Sequence, residues 1–185
     1  GDTAADLLPE DAAALSHMVL PPPGPSPLAA PRRQASEDDV VTIVLGGDIG
    51  LGGHLQPVSA TNGVRHGTRT PFAALTAHLR GLVDGDLAFA NLETIVTERD
   101  DLRPEDKTFV FRMHPEGVAH LGEIGFNVLS TANNHAMDFG VAGAHDSLRH
   151  LDDLVARGSI KAYAGLGRDR EQAGRPQAIA VKGAR

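Results

Sequence analysis

The chain has 185 residues, 41% of them hydrophobic, and a formal net charge of −7. That is enough material for one domain with a sizeable core, which must be aliphatic because aromatics make up 4% and Trp is absent. The acidic balance disfavours nucleic acid and anionic membranes as main partners. The absence of Cys excludes disulfides and thiolate metal sites. No apolar run approaches the roughly 20 residues of a membrane span. The opening GDTAADLL is neither an initiator start nor a secretory signal, so the expectation is a processed terminus from which any such segment has been removed.

Residues 1–36 differ in composition from the rest. DLLPEDAAALSHMVL has the makings of a short helix, whereas PPPGPSPLAAPRR lacks amide donors and favours an extended polyproline form. This segment reads as a Pro-rich arm or linker, or as an arm that docks on a partner chain. From residue 37 to 185 strands and helices alternate. VVTIVL (40–45) is a continuous β-branched run suited to a strand covered on both faces. Thr70 and Pro71 predict the cap and first turn of a helix running to Leu82. LAFAN (87–91) is the next strand; Pro115 opens a helix that Gly125 stops, and FNVLS (126–130) follows. Residues 143–158 place Leu148, Leu151, Leu154 and Val155 on one helical face, with Gly158 as the stop signal. IKAYAG and AIAV predict two more short strands. The order specifies an α/β fold with a largely parallel sheet.

In such sheets the ligand site lies beyond the carboxyl ends of the strands. The first strand runs into GGDIGLGG and delivers Asp48. The second ends in NLE with Asn91 and Glu93, and the third in ANNHAMD with Asn133, Asn134, His135 and Asp138. Each has a duller role by itself: an Asx-turn for Asp48, a solvated acid in Glu93, caps in Asn133 and Asn134, a hydrogen-bonded ring in His135. Jointly they aim oxygen and nitrogen ligands at one rim, a set suited to Mn, Fe, Zn or Mg, which can activate water or polarise an oxygen. His54 and His66, in the loop after the first strand, are possible further ligands. RHGTR (65–69) and Arg112 are possible cations for an anionic substrate. His78, His120, His145 and His150 fall on helices and read as solvated faces.

The stretches GDIGLGG (47–53), DLAFANLET (86–94), FRMHPE (111–116), GFNVLSTANNHAMDFG (125–140) and GLGRDREQAGRP (165–176) resemble, in order, the bacterial capsule-synthesis proteins of the CapA/PgsA type, associated with poly-γ-glutamate. The resemblance implies a layered α/β/α fold related to the calcineurin-like metallophosphoesterases. It also implies one or two divalent ions held by Asp48, Glu93 and Asn134. His135 would assist at the reacting oxygen, and Asn91, Asn133 and Asp138 would stand behind the ligands or face substrate. The implied activity is that of a metal-dependent hydrolase or transferase acting on an anionic phosphoryl or glutamyl-amide substrate. The alternative is a non-catalytic polymer-binding or assembly component of a poly-γ-glutamate system. Phosphoesterases place a ligand histidine two residues after the first aspartate, where this chain has Gly50, and the capsule family's usual methionine is likewise replaced there. They also take histidines from a C-terminal half that would follow AIAVKGAR. The fold is therefore expected to be incomplete in this chain, with an apolar sheet edge that a second polypeptide or C-terminal half completes. The family usually works outside the membrane, and the sequence leaves a cytoplasmic setting open.

Overall fold

The computed structural model describes residues 40–54 and 57–182, with the side chain of His54 outside that description. The chain divides into two units, Gly1–Ala35 and Ser36–Arg185, and every described residue belongs to the second. The Pro-rich arm and His17 lie outside the described residues.

Four strands form the central sheet in the order β1 (Ile43–Ile49), β5 (Leu87–Leu92), β8 (Val128–Ser130) and β9 (Ala162–Ala164). All three pairings are parallel, so every strand delivers its carboxyl end to the same rim. Two long helices form in the crossovers. Helix α2 (Pro115–Glu123) starts on His114, whose ring accepts from the Glu116 N–H, and has Pro115 in its first turn. It ends before Gly125, whose φ of +122° and 2.3 Å approach of an added Cβ to the Val83 carbonyl admit only glycine. Helix α3 (Gly140–Ala156) buries Leu148, Leu151 and Leu154 and stops before Gly158 at φ +74°. Val118 and Leu121 of α2 join Leu151 and Leu154 of α3 in one core with Ala88, Ala90, Leu92 and Leu129. Those strand residues alternate with their neighbours, so both helices cover one face of the sheet.

The other face is poorly covered. Ile43 and Leu87 pair in register, as do Leu45, Phe89 and Val128 across three strands, putting an apolar row on the side away from the helices. Ile43 is 58% and Leu45 75% exposed. The expectation that β1 is covered on both faces is thus corrected: it is an edge strand covered on one face. It also starts three residues later than predicted and runs through the glycines to Ile49.

Two further expectations are corrected. The helix predicted over 70–82 is replaced by a hairpin, β3 (Asn62–Arg65) with β4 (Thr68–Pro71), and a single turn, α1 (Phe72–Leu75). Thr70 pairs with Gly63 across the hairpin instead of capping, and the Thr76 hydroxyl donates to the Phe72 carbonyl at 3.0 Å where the helix stops. AIAV makes only an isolated bridge at Val181. A small sheet that the sequence did not predict, β2 (Gly53–His54), β7 (Phe111–Met113) and β6 (Ile95–Val96), packs beside the site. At Gly52 an added Cβ would lie 1.8 Å from the Arg112 carbonyl, a contact that only glycine permits. Among the described residues no helix is long and apolar enough to cross a membrane.

The reading of four solvated helical histidines holds for His145; His78 is exposed but lies in a turn beyond α1, and the other two are not solvated. His120 stacks on Phe72 and hydrogen-bonds the Thr76 hydroxyl at 2.8 Å. His150 is buried, and burial, with the neighbouring Arg149 cation, holds its pKa below the ordinary 6.5. A depressed histidine favours the native state only while neutral, so its contribution is present above pH 6.5 and is lost as the pH falls through its lower native value. Thermal melts at pH 7.5 and 5.5 should show a smaller acid destabilisation in His150→Gln than in the parent chain; an equal loss in both overturns this assignment.

Candidate active site at the strand ends

The rim is assembled by register. Between Leu45 and Asp48 the β1–β5 pairing slips by one residue at Gly46–Gly47. Simple alternation would place Asp48 on the helix-covered side with Val44. The slip puts it opposite Asn91, which in turn pairs with Ser130 of β8. Asp48 and Asn91 therefore share the poorly covered face, at the carboxyl ends of adjacent strands. Glu93 follows β5 directly, and its amide donates to the Ile49 carbonyl at 3.1 Å, which holds the segment against the end of β1.

The side chains at this rim form one continuous chain of hydrogen bonds. The Asp48 and Glu93 carboxyls are hydrogen-bonded to each other. Asn91 Nδ2 donates to Asp48 Oδ1 at 2.8 Å. Asn133 Nδ2 donates both to Asn91 Oδ1 at 3.0 Å and to the Leu92 carbonyl at 2.9 Å. Asn133 Oδ1 accepts from the His135 N–H at 3.0 Å. Each amide's orientation is fixed by its neighbours, because a carboxylate and a carbonyl accept only and a backbone N–H donates only. The Asn91 bond, then the Glu93 bond, hold the Asp48 pKa below its ordinary value, while the hydrogen bond to Asp48, burial and the Asp48 charge raise that of Glu93.

His135 is buried and is held from both sides. Its Nδ1 lies 2.7 Å from Asp138 Oδ2, and its ring packs on Phe111 with centroids 4.3 Å apart. Asp138 is completely buried and also accepts from the Phe111 N–H at 2.6 Å and from Lys107 Nζ at 2.5 Å. An ionised Asp138 can only accept, so Nδ1 carries the hydrogen and Nε2 is the ring nitrogen left for chemistry. The Asn134 side chain is exposed and makes no hydrogen bond among the described residues, while its carbonyl accepts from Lys107 Nζ at 2.7 Å. A cavity of about 180 Å³ lies against the carboxyl pair, lined by Asp48, Gly50, Gly52, Glu93, Thr94 and Phe111. A Cβ at Gly50 would meet nothing closer than 4.0 Å, so the position of the phosphoesterase ligand histidine is open space here.

The structure thus links Asp48, Asn91, Glu93, Asn133, His135 and Asp138. Other expected residues lie elsewhere. His66 is exposed at the tip of the β3–β4 hairpin with φ +49°, and the His54 side chain is outside the described residues. Arg112 is buried, and its guanidinium contacts the Arg99 carbonyl at 3.1 Å, the Asp100 carboxylate at 3.1 Å and the Phe139 ring. It is committed to interior contacts rather than presented to an anion. Arg69 donates to the Pro57 carbonyl. Lys107 was missed by sequence reasoning: RPEDKTFV carries no motif, and only the folded loop brings it to Asp138.

The donor set suits a hard divalent ion in part. Two carboxyls in contact offer a position where a cation can offset both charges. Among the described residues, however, no three His, Asp or Glu side chains converge as a metal site, so Asp48 and Glu93 with the Asn134 amide make fewer ligands than the four to six such ions take.

The sequence matches the family model described as bacterial capsule synthesis protein PGA_cap over residues 42–185. It is 31% identical over 118 residues to the PGA biosynthesis protein CapA of Bacillus subtilis (strain 168), covering 64% of this chain and 29% of that protein. It is 30% identical over 144 residues to a probable polyglutamine synthesis accessory protein of Mycobacterium tuberculosis, covering 63% of this chain and 37% of the relative. Identity to the capsule biosynthesis protein CapA of Bacillus anthracis is 28% over 115 residues, covering 61% and 26%. The chain thus matches well under half of each relative's length. The family match takes in the whole described sheet and every residue of the hydrogen-bonded rim: the chain belongs to the bacterial capsule synthesis protein family, of metallophosphatase-like fold.

Proposed function

We propose that this domain is part of a metal-dependent hydrolase or transferase that acts on an anionic substrate, a phosphoryl compound or a glutamyl-type amide. The relatives' names tie it to the synthesis of poly-γ-glutamate capsule or a related polymer. The observation that supports the enzyme reading is the Asp48–Glu93 carboxyl pair joined through Asn91 and Asn133 to an oriented histidine. Asp48, Glu93 and Asn134 would hold the ion, of Mn, Fe or Zn type, one or two in number. A bound divalent ion supplies an activated water or a polarised phosphoryl or carbonyl oxygen. Asn91 keeps Asp48 ionised and aimed. His135, with a second hydrogen on Nε2, would act toward the reacting oxygen as general acid or charge stabiliser, and Phe111 shields its ring.

The poorly covered sheet face supports a second part of the proposal: a further polypeptide layer, in a partner or a C-terminal half, packs on Ile43, Leu45 and Phe89 and brings the remaining ligands. Burying a side chain of this size stabilises by about 1.5–3 kcal/mol.

Two predictions test these readings. The protein purified together with the layer that completes it, equilibrated with Mn²⁺ and analysed by calorimetry and elemental analysis, should retain metal, and Glu93→Gln should lose it. His135→Ala should keep the metal and lower kcat about 100-fold on p-nitrophenyl phosphate or γ-glutamyl-p-nitroanilide. A completed protein that binds polyglutamate but no metal would instead be a non-catalytic polymer-binding component, in keeping with the word accessory in the mycobacterial relative's name. For the second part, sedimentation and dye binding should show self-association and an exposed apolar surface that the double substitution Ile43→Asn, Leu45→Asn removes. A dye-silent monomer in the parent chain overturns it.

A further inference from the structure

Asp138 is wholly buried, and a buried carboxylate without a cation is strongly destabilising. Its cation is Lys107, whose own side chain remains 34% exposed. Lys107 is not simply one half of an ion pair. Its Nζ reaches Asp138 Oδ1 at 2.5 Å and the Asn134 carbonyl at 2.7 Å, so it ties together both ends of the turn that carries His135. The backbone around it does the same: the Glu105 N–H donates to the Asp138 carbonyl at 2.8 Å, and the Lys107 N–H donates to the Glu105 carbonyl at 2.9 Å. The other carboxylate oxygen of Asp138 is shared by His135 Nδ1 and the Phe111 N–H. Lys107 therefore holds the one group that fixes which imidazole nitrogen carries hydrogen, and it also holds the carbonyl of the residue just before that imidazole.

An exposed lysine pair of ordinary kind is worth little and its loss changes nothing nearby. Here one partner is buried and hydrogen-bonded onward, which is how outer partners of a reactive histidine set its orientation. We propose that Lys107 is a positioning residue: through Asp138 and the Asn134 carbonyl it fixes the ring orientation and the Nδ1–H tautomer of His135. The consequence for turnover rests on the hydrolase reading above; the effect on the ring does not.

The test uses the full chain labelled with ¹⁵N-histidine. In the parent, His135 should give one set of ring signals with hydrogen on Nδ1. Lys107→Met should give averaged or doubled ring signals while the melting temperature stays within a few degrees, and Lys107→Arg should restore the single set. With Mn²⁺ and p-nitrophenyl phosphate, Lys107→Met should lower kcat roughly 10–100-fold with KM nearly unchanged, the range seen for outer-shell partners, and Lys107→Arg should recover most of it. Unchanged ring signals in Lys107→Met overturn the proposal, whatever the rate does. If the protein completed by its further layer turns over neither chromogenic probe but the ring signals shift as expected, the positioning role stands and the hydrolase reading fails. Should Lys107→Met not fold, Lys107→Gln takes its place: averaged or doubled ring signals with the fold retained support the role, and a parent-like single set overturns it.

Discussion

Two carboxyl groups held in contact at the end of the sheet make it costlier to ionise both, and the arrangement of this rim follows from that constraint. At the carboxyl ends of β1 and β5, the Asp48 pKa is held low and that of Glu93 is raised. The larger cause on Asp48 is Asn91, whose amide hydrogen falls on it. Once Asn91 donates there, its carbonyl must face the other way and take a hydrogen from Asn133. The Asn133 carbonyl is then left to receive the His135 amide. The ionisation of one aspartate is thus coupled through two side-chain amides to the backbone of the histidine, with no donor or acceptor left ambiguous.

The fold makes this chain of contacts possible by placing an irregularity where a regular strand would fail. Strict alternation along β1 would turn Asp48 toward the helices, into the aliphatic core of Leu92, Leu129 and Leu151. One extra residue at Gly46–Gly47 moves it to the open face. Glycine is suited to that place, because a Cβ at Gly46 would come within 2.9 Å of the Phe126 ring. Gly52 answers a similar demand, letting the start of β2 approach the Arg112 carbonyl and close one wall of the cavity. The tight packing under the rim and the open space at Gly50 are products of the same glycine-rich segment.

The parallel sheet and its polar rim were legible because apolar runs ending in polar clusters carry both period and position. LAFAN running into NLE, and FNVLS followed by ANNH, each carried a strand, its end and a rim residue together. The failures have specific causes. Residues 70–82 have helical composition, but the hairpin takes Thr68 to Pro71 into a ladder first, and a one-turn helix is all that fits before Thr76 bonds back to Phe72. His120 and His150 looked solvated because helical spacing says which residues share a face and not what is packed there. Lys107 had no signal, since its role exists only after a loop folds onto Asp138. Arg112 misled because FRMHPE sits near the rim in sequence, whereas its guanidinium turns inward to Asp100 and Phe139.

The open sheet face and the short ligand set are one problem rather than two. Asp48 and Asn91 stand on the same side of the sheet as Ile43, Leu45 and Phe89, because register links them strand by strand. The opposite side is fully served by α2 and α3, which explains why the helices bring no ligand to the rim. Any layer that covers the apolar row must approach from the side where the carboxyl pair lacks further donors, and its strand ends would meet the rim at the cavity beside Gly50. Stability and ligand completion would then be met by a single packing event. In that arrangement the ion would bind strongly only once the covering layer is seated, since two carboxyls and an amide by themselves leave most of its coordination to water.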